Sequence, residues 1–109
     1  MNFNSVQEVF DNMPGAFRSE QAHGLDLVFQ FHITGDDSGD WVVKVNDGAC
    51  EVAPGTSGEH TASLTLSDKN WIKLVQGKLN PVMAVMTGKL KIGGDMMAAQ
   101  KFGSLFKLG

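Results

Sequence analysis

The residues of this sequence that could do chemistry are not spaced for it. His23, His32 and His60 fall in different predicted elements, and none has a second ligand at a metal-site spacing. They read as surface or hydrogen-bonding histidines. Asp36, Ser38 and Asp40 resemble the start of a calcium loop, but Trp41 stands where that loop needs glycine and the later glutamate is missing. A solvated turn is the better reading. Gly77-Lys78 and Gly88-Lys89 are not phosphate loops: Ile72 and Met83 replace the upstream glycine, and Leu79 and Leu90 replace the hydroxyl residue. Gly93-Gly94-Asp95 opens a helix whose amides could attract an anion, yet Asp95 would repel one and caps the helix instead. Cys50 has no basic sequence neighbour to lower its pKa. There is no serine nucleophile elbow. No metal or cofactor is expected.

The apolar residues are more informative. Pro81 to Met86 is apolar on every side. Such a segment is expected to be buried on more than one face, as a wall between the core and either a packed neighbour or a cavity. Met83, Met86, Met96 and Met97 cluster around the last predicted strand. Methionine fills irregular space and repacks easily, and on the residues alone these four read as filler of an ordinary core rather than as a surface for varied apolar partners.

The elements that position these residues follow from period and punctuation. Ser5 with Glu8 fits a capping box, and Asn4 with Gln7 fits one residue earlier. Val6, Val9, Phe10 and Met13 form a helical stripe, which Pro14-Gly15 breaks or restarts. A further short turn of helix is predicted from Ala16 to Gln21. From Leu25 the period becomes two. Leu25, Leu27, Phe29, Phe31 and Ile33 point inward, and Asp26, Val28, Gln30, His32 and Thr34 outward. Trp41, Val43 and Val45 continue the inward set beyond the polar turn Gly35–Asp40. Asn46-Asp47-Gly48 is a hairpin turn. Ala49–Val52 is a short strand near an edge, Pro54–His60 a loop, and Thr61–Leu66 a strand with Ala62, Leu64 and Leu66 inward.

Ser67 caps a helix bearing Trp71, Leu74 and Val75, which Gly77 stops. Asn80-Pro81 restarts a helix that Gly88 ends. Lys89–Ile92 is a last strand, Gly93-Gly94 a turn, and Asp95 the cap of a helix with Ala98, Ala99, Phe102, Leu105 and Phe106 on its apolar face. The fold class is therefore α+β, a largely antiparallel sheet with helices on one face. Its outward face, with Gln30, Lys44, Thr61, Thr65, Lys89 and Lys91, is expected to meet solvent.

The 109 residues suit a single domain spanning 1–109. Hydrophobic residues make up 42% and charged residues 19%, which argues against disorder. A net charge of -3 gives no footprint for nucleic acid. One cysteine is consistent with a reducing compartment. No charged-then-apolar leader opens the chain and no apolar run approaches the ~20 residues of a membrane span. The expectation is a cytoplasmic protein without stable membrane insertion, its oligomeric state undetermined by sequence.

The order of these pieces resembles a known family. GKLNPVMAVMTGKLKIGGDMMAAQKFGSLF is similar to the carboxy-terminal half of the sterol carrier protein 2 (nonspecific lipid-transfer) domain. Gly77, Lys78, Met86, Gly88, Lys89, Leu90, Gly94 and Asp95 carry that pattern. FQFHITG followed by DW, VNDGACEV and TASLTLS resemble its first hairpins and the strand entering its middle helix. The resemblance implies a five-stranded sheet covered on one face by helices, enclosing an apolar tunnel that holds fatty acid, fatty acyl-CoA, sterol or other lipid without catalysis. Eukaryotic members often end in a peroxisomal tripeptide, whereas this chain ends Phe106-Lys107-Leu108-Gly109. The expectation is a cytoplasmic, bacterial or archaeal carrier, with fatty acyl or isoprenoid ligands favoured over sterol.

On that reading Phe29, Phe31, Trp41, Val43 and Leu64 form the floor of the tunnel. Trp71, Leu74, Met83, Met86, Phe102 and Phe106 form its wall and lid. The rival is an interaction protein that docks its apolar helical face onto a lipid-metabolising enzyme. Exposed side chains on Val82–Met86 would favour the rival, and a continuous tunnel the carrier. An enzyme would need convergent titratable groups inside the cavity, which the inward strand positions do not offer.

Overall fold

Alternation of apolar and polar residues, punctuated by tight turns, builds the sheet. In the computed structural model, which describes residues 5–106, the strands are β1 (Asp26–Thr34), β2 (Gly39–Asn46), β3 (Ala49–Pro54), β4 (Ala62–Ser67) and β5 (Leu90–Gly94). Their order is β3-β2-β1-β4-β5. β1 and β4 run parallel and the other pairs antiparallel. The helices are α1 (Val6–Ala16), α2 (Asp68–Val75), α3 (Pro81–Met86) and α4 (Met96–Leu105), with a 3₁₀ turn at Ser19–Gln21. The fold is α+β, with a mixed, mostly antiparallel sheet.

Register turns the alternation into rows. Val52, Val43, Phe29 and Ala62 lie side by side across four strands, and Pro54, Trp41, Phe31, Leu64 and Ile92 across all five. Phe29, Phe31 and Val43 are wholly buried. Each such side chain contributes about 1.5–3 kcal/mol relative to exposure. The β2–β3 turn places both Asp47 and Gly48 at positive φ, the combination that matches the twist of a hairpin.

α1 covers one half of this face. Ser5 accepts from the Glu8 amide, the alternative cap Asn4 lying outside the described residues. Val6, Val9, Phe10 and Met13 are buried. Phe10 stacks on Trp41 at 4.6 Å and on Trp71 at 5.1 Å. The helix does not break at Pro14. It runs through to Ala16 and ends in extended Phe17, since a proline in the last turn removes one hydrogen bond and leaves little helix beyond it to lose.

Two further expectations need correction. Gly93 and Gly94 belong to β5 and pair with Ser63 and Ala62 rather than forming a separate turn. Gly94 is needed there: its φ is +76° and an added Cβ would sit 2.6 Å from the Thr61 carbonyl oxygen. Gln30 points away from the core, as alternation requires, but is 2% exposed. The loop after β3 folds over it. Its Nε2 donates to the carbonyls of Trp41 and Gly55, each at 3.1 Å, and its Oε1 accepts from the Ser57 amide at 2.7 Å.

Candidate functional site

The second half of the inner face is covered by α2, α3 and α4, and the cover is incomplete. Local sequence explains where each helix sits. Ser67 caps α2 through the Asn70 amide at 3.1 Å. Asn80 accepts from Val82 and Met83 at 2.9 and 3.2 Å, with Pro81 at the first turn. Thr87 Oγ1 closes the far end of α3 on the Met83 carbonyl at 2.8 Å. Asp95 accepts from Met97 and Ala98 at 2.9 and 3.2 Å and so starts α4. At its other end α4 is tied to the chain after α1: the Arg18 amide donates to the Leu105 carbonyl at 2.7 Å, and Phe17 bridges to Phe106.

Between these helices and the β4–β5 edge lies a cleft of about 600 Å³. Leu64, Leu90 and Ile92 line it from the sheet. Leu74, Val75 and Gly77 line it from α2 and its end, and Pro81, Val82, Val85 and Met86 from α3. Met96, Ala99, Gln100, Phe102, Gly103 and Phe106 complete it from α4 and beyond. The volume lies within the range of about 300–1,000 Å³ typical of small-molecule sites. Gln100 is the one lining residue with a polar side chain, and no lining residue is titratable. The lining therefore supplies no acid, base, nucleophile or metal ligand. Among the described residues no three His, Cys, Asp or Glu side chains are grouped to hold a metal.

Of the eleven candidate contacts, the structure brings Leu64, Leu74, Met86, Phe102 and Phe106 to the cleft. Phe29, Phe31, Val43 and Trp71 are in the solid core beneath α1 and α4, each fully buried. The indole N–H of Trp71 has no acceptor among the described residues. Trp41 packs against Phe10 and borders a separate depression with Val6, Asp37 and Pro54, none of which lines the cleft. Met83 points to solvent, 54% exposed.

α3 itself departs from expectation. Ala84 is its buried residue, while Val82 is 68% exposed and Met86 75%. The helix is a rim: a small residue, Ala84, seats it beside β5, and its outer side is exposed among the described residues.

The cleft residues that sequence reasoning missed share a pattern. Ala99 and Gly103 are four apart on α4 and open a groove along it. An added Cβ at Gly103 would meet nothing within 4 Å. Two small residues at helical spacing on an otherwise bulky apolar face were the available signal. Val75 lies on the apolar stripe of α2, and Leu90 and Ile92 alternate with the outward Lys89 and Lys91, but periodicity does not separate an inward residue that packs from one that faces a void.

Cys50 is half-buried on β3, opposite Val45. Burial, and then the neighbouring Glu51 charge, pushes its thiol pKa up to about 11. His32 Nδ1 meets Asp40 Oδ1 at 2.8 Å on the solvent side of the β1–β2 pair, away from the cleft.

Relatives share this chain's sequence along most of its length. Hydroxysteroid dehydrogenase-like protein 2 of Rattus norvegicus is 30% identical over 105 residues, 95% of this chain and 20% of the relative. The protein of that name from Xenopus laevis is 35% identical over 99 residues, 88% of this chain and 23% of the relative. The chain thus spans about a fifth of the length of these relatives. Among solved structures, palmitated SCP2L2 from Aedes aegypti superposes with a TM-score of 0.75 at 21% identity, covering 93% of both chains. Sterol Carrier Protein 2 from Yarrowia lipolytica, in its apo form, gives 0.61 at 29% identity, over 72% of this chain and 64% of that one. No described helix is long and apolar enough to cross a membrane. The model of the SCP-2 sterol transfer family matches residues 8–107, and the chain belongs to that family.

Proposed function

We propose that this chain binds and carries a long-chain lipid in the cleft without chemical change to it. One observation carries the reading: a space of about 600 Å³ lined by apolar side chains and by no titratable group. Such a lining discriminates by length. Each buried methylene contributes about 0.8 kcal/mol, and association costs at least about 4 kcal/mol before any net affinity appears. Short acids fall below that cost, whereas fatty acyl and isoprenoid chains exceed it. Family membership supports a lipid as the ligand class. Palmitate, carried in the name of the Aedes aegypti relative, is the first acyl chain to try.

The test is titration with a fluorescent fatty acid, followed by displacement with unlabelled acids of increasing length. Saturable binding at micromolar or lower Kd is expected, equivalent to about -8 kcal/mol. A companion variant, Gly103→Phe, places a ring where the structure leaves open space. It should fold and lose most binding. No saturable signal at any chain length would overturn the proposal.

A second reading is favoured by the exposure of Val82, Met83 and Met86. On it, the apolar rim docks onto a lipid-metabolising enzyme. Fatty-acid titration separates the two, because a docking face alone needs no ligand in the cleft.

A further inference from the structure

The indole N–H of Trp71 is the one buried side-chain donor or acceptor among the described residues that has no hydrogen-bond partner. Trp71 is wholly buried. A buried indole N–H ordinarily finds an acceptor, and leaving it unpaired is costly. The three rings packed on it do not supply one. An N–H lies in the plane of its own ring, so it meets a neighbour's π face squarely only where the two rings stand near perpendicular. The planes of Phe10, Phe31 and Phe102 are inclined to that of Trp71 at 19°, 52° and 42°. A buried water would need about two or more polar partners, and these rings offer it none.

Trp71 stands directly behind the cleft. On α2 it shares one face with Leu74 and Val75, three and four residues on, and both of those line the cleft. Phe102 packs on Trp71 with ring centroids 6.1 Å apart and itself lines the cleft from α4. Phe102 is therefore the partition between the cleft and the indole. Its neighbours on α4 are small. Ala99 lies one turn before it and Gly103 follows it, and an added Cβ at Gly103 would meet nothing within 4 Å. The ring has open space on its own helix into which to turn.

The chemistry of the missing acceptor follows from the lining. No titratable group lines the cleft, so an ionised carboxylate carried inward would lose its water and gain no countercharge. A hydroxyl or carbonyl oxygen loses far less, and one N–H satisfies it. We infer that Trp71 is a specificity-determining residue of the cleft: its Nε1–H donates to the uncharged oxygen of a lipid that enters oxygen-first and displaces the Phe102 ring. Long-chain alcohols, aldehydes and ketones belong to that class. An ionised fatty acid instead enters tail-first. Its carboxylate stays in water at the mouth, beside Gln100, the one polar side chain of the lining, which is exposed.

This preference rests on the carrier reading and is tested separately from it. Palmitate and hexadecanol, equal in chain length, are used to displace a bound fluorescent fatty acid from the parent and from Trp71→Phe. Trp71→Phe should weaken hexadecanol about three- to tenfold relative to palmitate, the worth of one neutral hydrogen bond. The ratio of the two affinities is the readout, since a void left by the smaller ring acts on both lipids. A second measurement needs no change at Trp71. The parent has two tryptophans, and Trp41→Phe identifies the Trp71 indole signal in nitrogen–proton correlation spectra. That signal should move downfield when hexadecanol binds and should not when palmitate binds. An unchanged affinity ratio in folded Trp71→Phe, or a Trp71 signal that hexadecanol does not move downfield, would overturn the role of Trp71, while palmitate binding would leave the carrier reading standing. Binding of neither lipid would overturn both.

Discussion

The rings of Phe31 and Phe102 meet with centroids 5.3 Å apart and planes inclined at 59°, and of the two Phe102 alone lines the cleft. That contact marks the boundary between packed core and binding space. Phe31 is fully buried against Phe10, Trp71 and Phe102. Phe31→Ala should therefore cost about 3–5 kcal/mol of stability. Phe102→Ala should cost less than Phe31→Ala, because the space it leaves joins an existing opening, and should shift ligand preference toward bulkier chains. Urea unfolding and lipid titration of both variants check this. Equal losses of stability would place Phe102 wholly inside the core.

Gln30 gives a second prediction, on the opposite face of the sheet. Its amide satisfies the Trp41 and Gly55 carbonyls and the Ser57 amide at once. Gln30→Leu leaves those groups without that partner, at a cost of about 1–3 kcal/mol. Hydrogen exchange at the Ser57 amide should accelerate, while lipid affinity should stay unchanged because the Gln30 side chain lies on the opposite face of the sheet from the cleft. Unchanged exchange at Ser57 would show that the loop is held by something other than this side chain.

These two residues also show what sequence can and cannot supply. Phe31 was readable as inward because the alternation from Leu25 to Ile33 is unbroken, and inwardness is a local property of a strand. Capping by Ser67, Asn80 and Asp95 was readable for the same reason: donor and acceptor lie within three residues. The burial of Gln30 was not readable, since Gly55 and Ser57, which hold it, lie more than 20 positions away and in a loop. Nor was the exposure of α3. All-round apolar composition predicts burial only if neighbours exist to cover it, and among the described residues α3 packs beside β5 and leaves Val82, Met83 and Met86 exposed. The candidate site suffered from the same limit. Phe29 and Leu64 are both inward on adjacent strands, yet Phe29 meets Phe102 at 5.5 Å whereas Leu64 borders the cleft.

Cys50 yields a prediction in pH. Its folded pKa of about 11 lies above its ordinary value of 9.0. A group whose pKa is raised by folding holds its full contribution below the unfolded pKa and loses it as pH rises through the folded one. The parent should therefore lose thermal stability between about pH 9 and 11 more steeply than Cys50→Ala, in which the thiol is gone. Below pH 8 the two should melt with little pH-dependent difference. Labelling of folded protein by a thiol reagent at neutral pH should be slower than that of a free thiol, roughly in proportion to the lower thiolate fraction. Lipid affinity of Cys50→Ala should stay within a few-fold of the parent. Parallel pH profiles of the parent and Cys50→Ala would mean that the thiol titrates normally in the folded protein.

Met86 separates the rim from the core most directly. It is 75% exposed and yet lines the cleft. A buried methionine replaced by alanine costs about 2–5 kcal/mol; at this exposure the cost of Met86→Ala should be below about 1 kcal/mol, in line with ordinary surface changes. Met86→Asp is the stronger test. In a dry core an unpaired carboxylate would unfold the protein or raise its own pKa sharply. At the rim the carboxylate keeps its water, so the variant should fold and melt close to the parent. It should bind fatty acid more weakly, because the side chain that closes over the acyl chain is now charged and hydrated. Thermal melts and fatty-acid titrations on the same sample decide the matter. Unfolding would place Met86 in a packed interior, and a folded variant with full affinity would show that the ligand does not reach the α3 side of the cleft.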